Sequence, residues 1–356
     1  MKNIFFLFYQ FLFVFVCSAQ KKLNGFEIVE QKEKNQVDIL WNGNLLTAYC
    51  YSDSIRKPFL FPINTVDGIT VTRGYPINPR EGERTDHPHH TGLWMNYESV
   101  NGLDFWNNST VIPIEKRNLY GTIRHNKIIA KKSEGNSATL TTAADWLHPD
   151  GHVLIKEKTN YVFTVKAQIF FIERISTLTA GNEEVLFKDV KDGFLAIRVA
   201  RELEMPSDQA DVFVDIHGNK TNVPKMKNNE GVTGMYYNSE GKKGDSVWSS
   251  KGRWALLKGK KEGKDITIGI FDHPSNVGYP AYWHARGYGL FAVNPLGRKI
   301  FSNGKEELNL KLKPNTSVTF RYKILIASGK EISGDEMNKI ADEFGKSDLT
   351  AKAERR

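Results

Sequence analysis

Three of the nine histidines fall within four residues. They are His87, His89 and His90, inside Arg84-Thr85-Asp86-His87-Pro88-His89-His90-Thr91-Gly92-Leu93-Trp94. On an extended backbone His87 and His89 share one face and His90 takes the other, while Pro88 and Gly92 favour a loop. Imidazoles gathered this way bind a metal through neutral nitrogens or exchange protons near neutral pH. The bland alternative is a surface cluster or a set of buried, hydrogen-bonded rings. Arg84, Asp86 and Trp94 beside the cluster favour chemistry. Asp86, His87 and His89 are candidate ligands for one divalent ion, and spacing does not choose which ion. His89 and His90 are candidate acids, with Arg84 and Trp94 as candidate substrate contacts.

A second segment runs from Asp272-His273-Pro274-Ser275-Asn276 through Tyr282-Trp283-His284-Ala285-Arg286-Gly287-Tyr288 to Asn294. His284, Arg286 and Tyr288 follow i, i+2, i+4 spacing, so a strand would project all three from one face. Arginine holds a carboxylate in a bidentate fork that lysine cannot copy, and His and Tyr exchange protons beside it. The competing reading pairs Arg286 with a structural carboxylate and places Tyr288 in the core. His273, Trp283 and Asn294 are further candidate substrate contacts. Trp94, Trp106 and Trp283 are able to stack on sugar faces, although large β cores also bury tryptophans. His125, His148, His152 and His217 are scattered and read as structural or exposed. Arg198, Arg201 and Glu202 sit at a strand end, where a salt bridge is the default reading.

These residues need a scaffold, and its dominant period is two. Gln36–Trp41, residues 121–131, 153–164, 168–177, 185–190, 194–201, 212–216, 266–271, 308–312 and 318–326 alternate, with β-branched and aromatic enrichment. Gly, Asn, Asp and Pro clusters separate them. So many strands without intervening helices predict an all-β fold, a large antiparallel β-sandwich. One helix is expected over 333–346, opened by the capping box Ser333-Gly334-Asp335-Glu336. Residues 59–78, rich in Pro and Gly, and 219–245, polar and rich in Lys and Gly, read as loops.

Residues 1–19 have the order of a secretory signal peptide: Lys2, an apolar run from Ile4 to Val16, then Cys17-Ser18-Ala19. The run is short for a membrane span, so the exported chain is expected to be periplasmic or secreted with no transmembrane segment. Lipidation at Cys17 is the alternative, disfavoured by the bulk of Val16. Residues 20–356 are then expected to form a single domain whose one cysteine, Cys50, excludes an internal disulfide and a Cys-ligated finger. The formal charge of +8 permits anionic partners without identifying them. No Walker loop, dinucleotide fingerprint, His-Glu-x-x-His helix or Gly-x-Ser-x-Gly elbow occurs, so no nucleotide cofactor is expected. Dispersed basic residues argue against a nucleic-acid partner.

The stretches DHPHHTGLWMNYESVNGLDFW, FDHPSN and YPAYWHARGYGLFAVNP, with Asn238-Ser239-Glu240-Gly241 and Val247-Trp248 before the last two, carry a family resemblance. Together they resemble the secreted bacterial family labelled PmoA-like, over nearly all of the chain after residue 19. The label names a methane oxygenase, yet membrane monooxygenase subunits need several spanning helices. The resemblance implies instead a sugar-active supersandwich, similar to galactose mutarotases and some polysaccharide lyases. It carries over to His87, His89, His90, His273, His284, Arg286, Tyr288 and Asn294. The implied reaction is elimination of water from the non-reducing-end uronic acid of a sulfated, ulvan-type oligosaccharide. Arg286 would neutralise the carboxylate, possession of the C5 proton would pass to His284 or Tyr288, and His89 or His90 would protonate the departing hydroxyl. An unsaturated-uronyl hydrolase would act downstream. The alternatives are a metal-dependent hydrolase or epimerase in the same cleft, and a carbohydrate-binding protein without turnover.

Overall fold

Alternating burial dominates the computed structural model, which describes residues 24–347 apart from 53–54, 208–210, 216 and 224–228. The leader expected at 1–19, with Cys17, lies outside the described residues, as does the charged end of the chain. Two eight-stranded antiparallel sheets stack face to face, the β-sandwich that the period-two pattern predicts. One sheet runs in spatial order Phe26–Gln31, Gln36–Trp41, Asn44–Cys50, Phe59–Ile63, Leu93–Tyr97, Gly193–Arg198, Leu290–Asn294, Tyr282–Arg286. The other runs Met235–Asn238, Trp254–Lys261, Lys264–Asp272, Ser317–Ser328, Ile169–Ala180, Val153–Lys166, Ser137–Leu147, Thr122–Glu134.

The inward faces share one apolar core. Leu195, Ile197, Phe291 and Val293 from the first sheet meet Ile172, Ile268, Phe320 and Ile324 from the second. Phe194 and Phe320 rings lie 4.4 Å apart across the interface. A second apolar layer lies outside the second sheet. There the helix Gly334–Gly345 presses Met337, Ala341 and Phe344 onto Trp254, Phe271 and Leu325. Its start is the expected capping box: the Ser333 hydroxyl accepts from the Glu336 N–H, and the Glu336 carboxylate accepts from the Ser333 N–H. Among the described residues no helix is long and apolar enough to cross a membrane.

Two segments expected to be loops hold strands. Phe59–Ile63, despite Pro62, joins the first sheet between Asn44–Cys50 and Leu93–Tyr97. Lys220–Val223 and Met235–Asn238 both lie inside 219–245, each only four residues long and too brief to show a period. A third apolar layer, on the outer face of the first sheet, positions the site. One rung crosses five strands there: Phe59, Trp94, Ala196, Ala292 and His284. Trp106, from the loop after Leu93–Tyr97, packs on this face with Trp94.

Candidate active site

The loop over residues 84–90 is held onto this rung by a buried arginine. Arg73 donates to the backbone carbonyls of Arg84, Asp86, His87 and His90 at 2.9–3.3 Å, and to Asp86 Oδ1 at 2.6 Å. That clamp supports a left-handed backbone at His87, φ 44°, which a non-glycine residue adopts at a cost. Gly92 closes the loop at φ 56°, where an added Cβ would come within 2.1 Å of the Leu60 carbonyl oxygen. From the next strand Arg198, fully buried, donates to Asp86 Oδ1 at 2.6 Å and to His90 Nδ1 at 3.1 Å. Asp86 Oδ2 meets His87 Nδ1 at 2.6 Å. Burial would raise the Asp86 carboxyl, but Arg198, His87 and Arg73 hold it well below the usual carboxylate range.

Ring stacking joins the two sequence segments. The His87 ring lies parallel to His90 at 4.7 Å and to Tyr288 at 5.0 Å. The Arg198 guanidinium sits over the Tyr288 ring at 4.9 Å, and Arg286 approaches the same ring at 6.0 Å. Arg286 also lies over Trp248 at 5.5 Å. It is exposed and forms no ion pair among the described residues. His284 shares its strand face, buried, with Nδ1 3.6 Å from Asp192 Oδ1. Tyr288 falls in the turn after Tyr282–Arg286 rather than on the strand, yet stays with the group.

Protonation states follow from burial. Burial, with Lys191 and Arg286 close by, pulls His284 down to about 3, so its ring is neutral at pH 7. Burial and neighbouring cations likewise hold His89 and His90 well below the ordinary imidazole range. Burial pushes the Tyr288 phenol up to about 12 against the pull of Arg198 and Arg286, so it keeps its proton. His89 Nε2, His90 Nε2 and His284 Nδ1 are buried with no hydrogen-bond partner among the described residues. Unpaired polar atoms of this kind are uncommon in folded proteins, and strain, a catalytic role or a bound water or ion accounts for them.

The structure brings together Asp86, His87, His89, His90, His284, Arg286 and Tyr288, with Trp94 beneath them. Trp94 is buried under His90 at 5.2 Å, so it forms the floor and offers no open face to a sugar. Four other candidates are committed elsewhere. Arg84 is buried and donates to Glu204 at 2.6 Å. Trp283 points into the inter-sheet core, its Nε1–H donating to the Gly252 carbonyl. His273 packs against Phe344 of the C-terminal helix at 4.9 Å, and its Nδ1 meets the Ser275 hydroxyl. Asn294 is buried and donates to the carbonyls of Val190 and Lys191, so it shapes the loop that carries Asp192.

Residues that sequence reasoning passed over complete the cluster. Arg73 carried no signal at all, and Arg198 looked like an ordinary salt-bridge residue. Lys57 is buried, donates to the His89 carbonyl at 2.6 Å, lies over Trp94 at 5.4 Å, and is pulled down to about 7 by burial. Asp192 is raised by burial.

A divalent ion does not fit Asp86, His87 and His89. The Asp86 carboxylate already receives two guanidinium groups at 2.6 Å, which would repel a cation there. Among the described residues, the group with metal-ligand proximity is instead His148, Asp150 and His152, whose candidate atoms lie within 4.8 Å of one another. Both histidines are spent on Asp150 Oδ1, at 3.0 and 2.7 Å.

Fold and cluster define an antiparallel β-sandwich protein with a buried histidine–arginine centre on the outer face of one sheet. The chain belongs to DUF6807, a family of unknown function, whose model matches residues 36–342. No curated protein matches it by sequence. Similar solved structures include the galactosidase domain of an α-galactosidase–sucrose kinase, AgaSK, with TM-score 0.34 and 10% identity over 85% of this chain and 41% of that one. The GH36 α-galactosidase AgaA of Geobacillus stearothermophilus has TM-score 0.32 and 13% identity, over 80% and 39%. A putative aldose 1-epimerase of Escherichia coli K12 has TM-score 0.31 and 9% identity, over 85% and 98%. The chain thus spans about two fifths of the two galactosidases, and at these scores none of the likenesses bears on activity.

Proposed function

We propose that this chain is a carbohydrate-active lyase that eliminates water from the non-reducing-end uronic acid of an anionic oligosaccharide. One observation carries the reading. Arg286, exposed and without an ion-pair partner among the described residues, stands on the face of a neutral His284 and beside a protonated Tyr288. The motif resemblance to the PmoA-like family points the same way.

The roles follow from those states. Arg286 takes the uronate carboxylate in a bidentate fork, which acidifies C5–H by favouring charge at the carboxyl as the proton leaves. Neutral His284 accepts the C5 proton, and Asp192 beside it stabilises the imidazolium that forms. The C5–H electron pair becomes the C4=C5 bond, the C4–O bond breaks, and Tyr288 gives its proton to the departing hydroxyl. Water leaves, and the proton on His284 returns to the tyrosinate through solvent. The acid expected from the sequence is His89 or His90; that part goes to Tyr288 instead, because both rings are buried and held well below the ordinary imidazole range while the phenol keeps its proton. In this reading Asp86, Arg73 and Arg198 are positioning residues. A sulfated, ulvan-type oligosaccharide is the proposed substrate, and an unsaturated-uronyl hydrolase would consume the product.

The test is mass spectrometry of uronate-ended oligosaccharides incubated with the protein. Loss of one water without shortening, with new ultraviolet absorbance from the conjugated alkene, supports the reading. A shortened product that has gained water would make the protein a hydrolase, and an altered sugar of unchanged mass an epimerase. Tight binding with no product would leave a carbohydrate-binding protein.

A further inference from the structure

Beside the histidine loop lies a cavity of about 60 Å³ that plays no part in the proposed elimination. Lys57, His89, Thr91 and Ser109 line it, and each is less than a tenth exposed. The volume is roughly twice a water molecule's share of the liquid, too little for a sugar ring. The Thr91 and Ser109 hydroxyls and His89 Nε2 are buried with no hydrogen-bond partner among the described residues. Both hydroxyls are able to donate, and the imidazole donates from Nε2 in one of its neutral tautomers. Lys57 Nζ spends one of its three donors on the His89 carbonyl.

Charge points the same way as the unpartnered donors. The lining holds a second cation, Arg56, and no carboxylate. Neither Lys57 nor Arg56 forms an ion pair among the described residues. Asp104, the carboxylate that attracts Lys57, accepts from the backbone and side-chain N–H groups of Asn107. A buried ammonium without a counter-charge is costly. Water in the cavity would satisfy the hydroxyls and leave that charge uncompensated. A small anion satisfies both, through charge-assisted hydrogen bonds.

We propose that this cavity binds one monatomic halide, chloride under ordinary conditions, held by the Lys57 ammonium and the hydroxyls of Thr91 and Ser109. The ion completes the surroundings of the ammonium that grips the His89 carbonyl, so it steadies the loop that Arg73 also holds. The site stands whether or not the protein acts on a uronate, because none of its residues takes part in the elimination.

The test uses the full chain and needs no substrate. Urea unfolding is followed across a series of sodium chloride concentrations, with sodium gluconate holding ionic strength constant because gluconate exceeds the cavity. Above the dissociation constant, each tenfold rise in chloride should lower the unfolding equilibrium constant about tenfold. Bromide should act likewise, and crystals grown with it should show its anomalous signal between Lys57 and Ser109. Two variants locate the effect. Thr91→Val/Ser109→Ala removes two hydroxyls that have no partner among the described residues, so it should fold, and its chloride affinity should fall at least about tenfold. Lys57→Met should abolish the chloride response, while Lys127→Ala, at an exposed lysine, should keep it. Stability indifferent to chloride at constant ionic strength would overturn the inference. So would a response of parental affinity in the hydroxyl double variant, or a cavity that holds only water in the bromide crystals.

Discussion

Arg198 donates to Nδ1 of His90 at 3.1 Å, and this single contact sets the proton on the ring. Arginine has only donors and keeps its charge, so Nδ1 must accept and the His90 proton sits on Nε2. The other arm of Arg198 holds Asp86, which in turn fixes His87 against Tyr288. One buried side chain thus links the outer face of the sheet, the histidine loop and the phenol.

Arg198 and Arg286 should separate structure from chemistry. Removing Arg198 leaves the Asp86 carboxylate with less of its charge compensation, so Arg198→Ala should lose about 3–5 kcal/mol in chemical denaturation. Arg286 is exposed and forms no ion pair among the described residues, so Arg286→Ala should stay within about 0.5 kcal/mol of the parent. Its turnover should nevertheless fall at least about a hundredfold, the scale for losing one charge-stabilising group. Near-normal turnover in Arg286→Ala would remove it from the mechanism.

Tyr288→Phe tests the acid. The ring keeps its stacking on His87 and its place beneath Arg198, so folding should be little changed. Without the hydroxyl, turnover should fall by about 10²–10⁴, the usual contribution of a positioned acid. KM should move far less than kcat, because the phenol acts in the transition state. A loss confined to KM would make Tyr288 a binding residue.

Much of this was legible in the residues. The alternation in Ile169–Ala180 and Ser317–Ser328 announced the sandwich, and Ser333 with Glu336 announced the helix. The same alternation, applied strictly, also separates His284 from its neighbour: adjacent strand residues take opposite faces, so Trp283 must enter the core when His284 faces the site. Arg73, Lys57 and Asp192 left no local pattern. Their roles come from long-range closure, in which a buried cation meets backbone carbonyls or a carboxylate meets an imidazole, and no spacing along the chain encodes that. Phe59–Ile63 was obscured by Pro62, and His273 by its likeness in sequence to the first histidine segment.

Chelation should leave turnover unchanged. Asp86 is occupied by Arg73 and Arg198, so the histidine loop offers a cation no free carboxylate. Dialysis against a strong chelator, followed by assay with and without added divalent ions, checks this. A loss of activity restored by one ion would place a metal in the reaction and send attention to the His148, Asp150 and His152 group.

His284 should make the protein sensitive to acid in a defined direction. Its folded value, about 3, lies below the ordinary value of 6.5 that the unfolded chain has. Between those limits the unfolded state binds the proton and the folded state does not, so stability falls as pH drops through that window and recovers above it. One such group contributes at most about 1.4 kcal/mol for each pH unit. Glu204 and Asp272, both pushed up to about 7 by burial, act with the opposite sign: the folded state holds their protons, so acidification from pH 7 stabilises it. The net slope mixes these terms, and a difference measurement isolates one. In His284→Gln the slope of stability against pH between pH 4 and 6, taken with its sign, should be lower than the parent's by up to about 1.4 kcal/mol per unit. Identical slopes in urea titrations at pH 4, 5 and 6 would mean that His284 is already protonated in the folded protein, and its part as the base that accepts the C5 proton would fall with it.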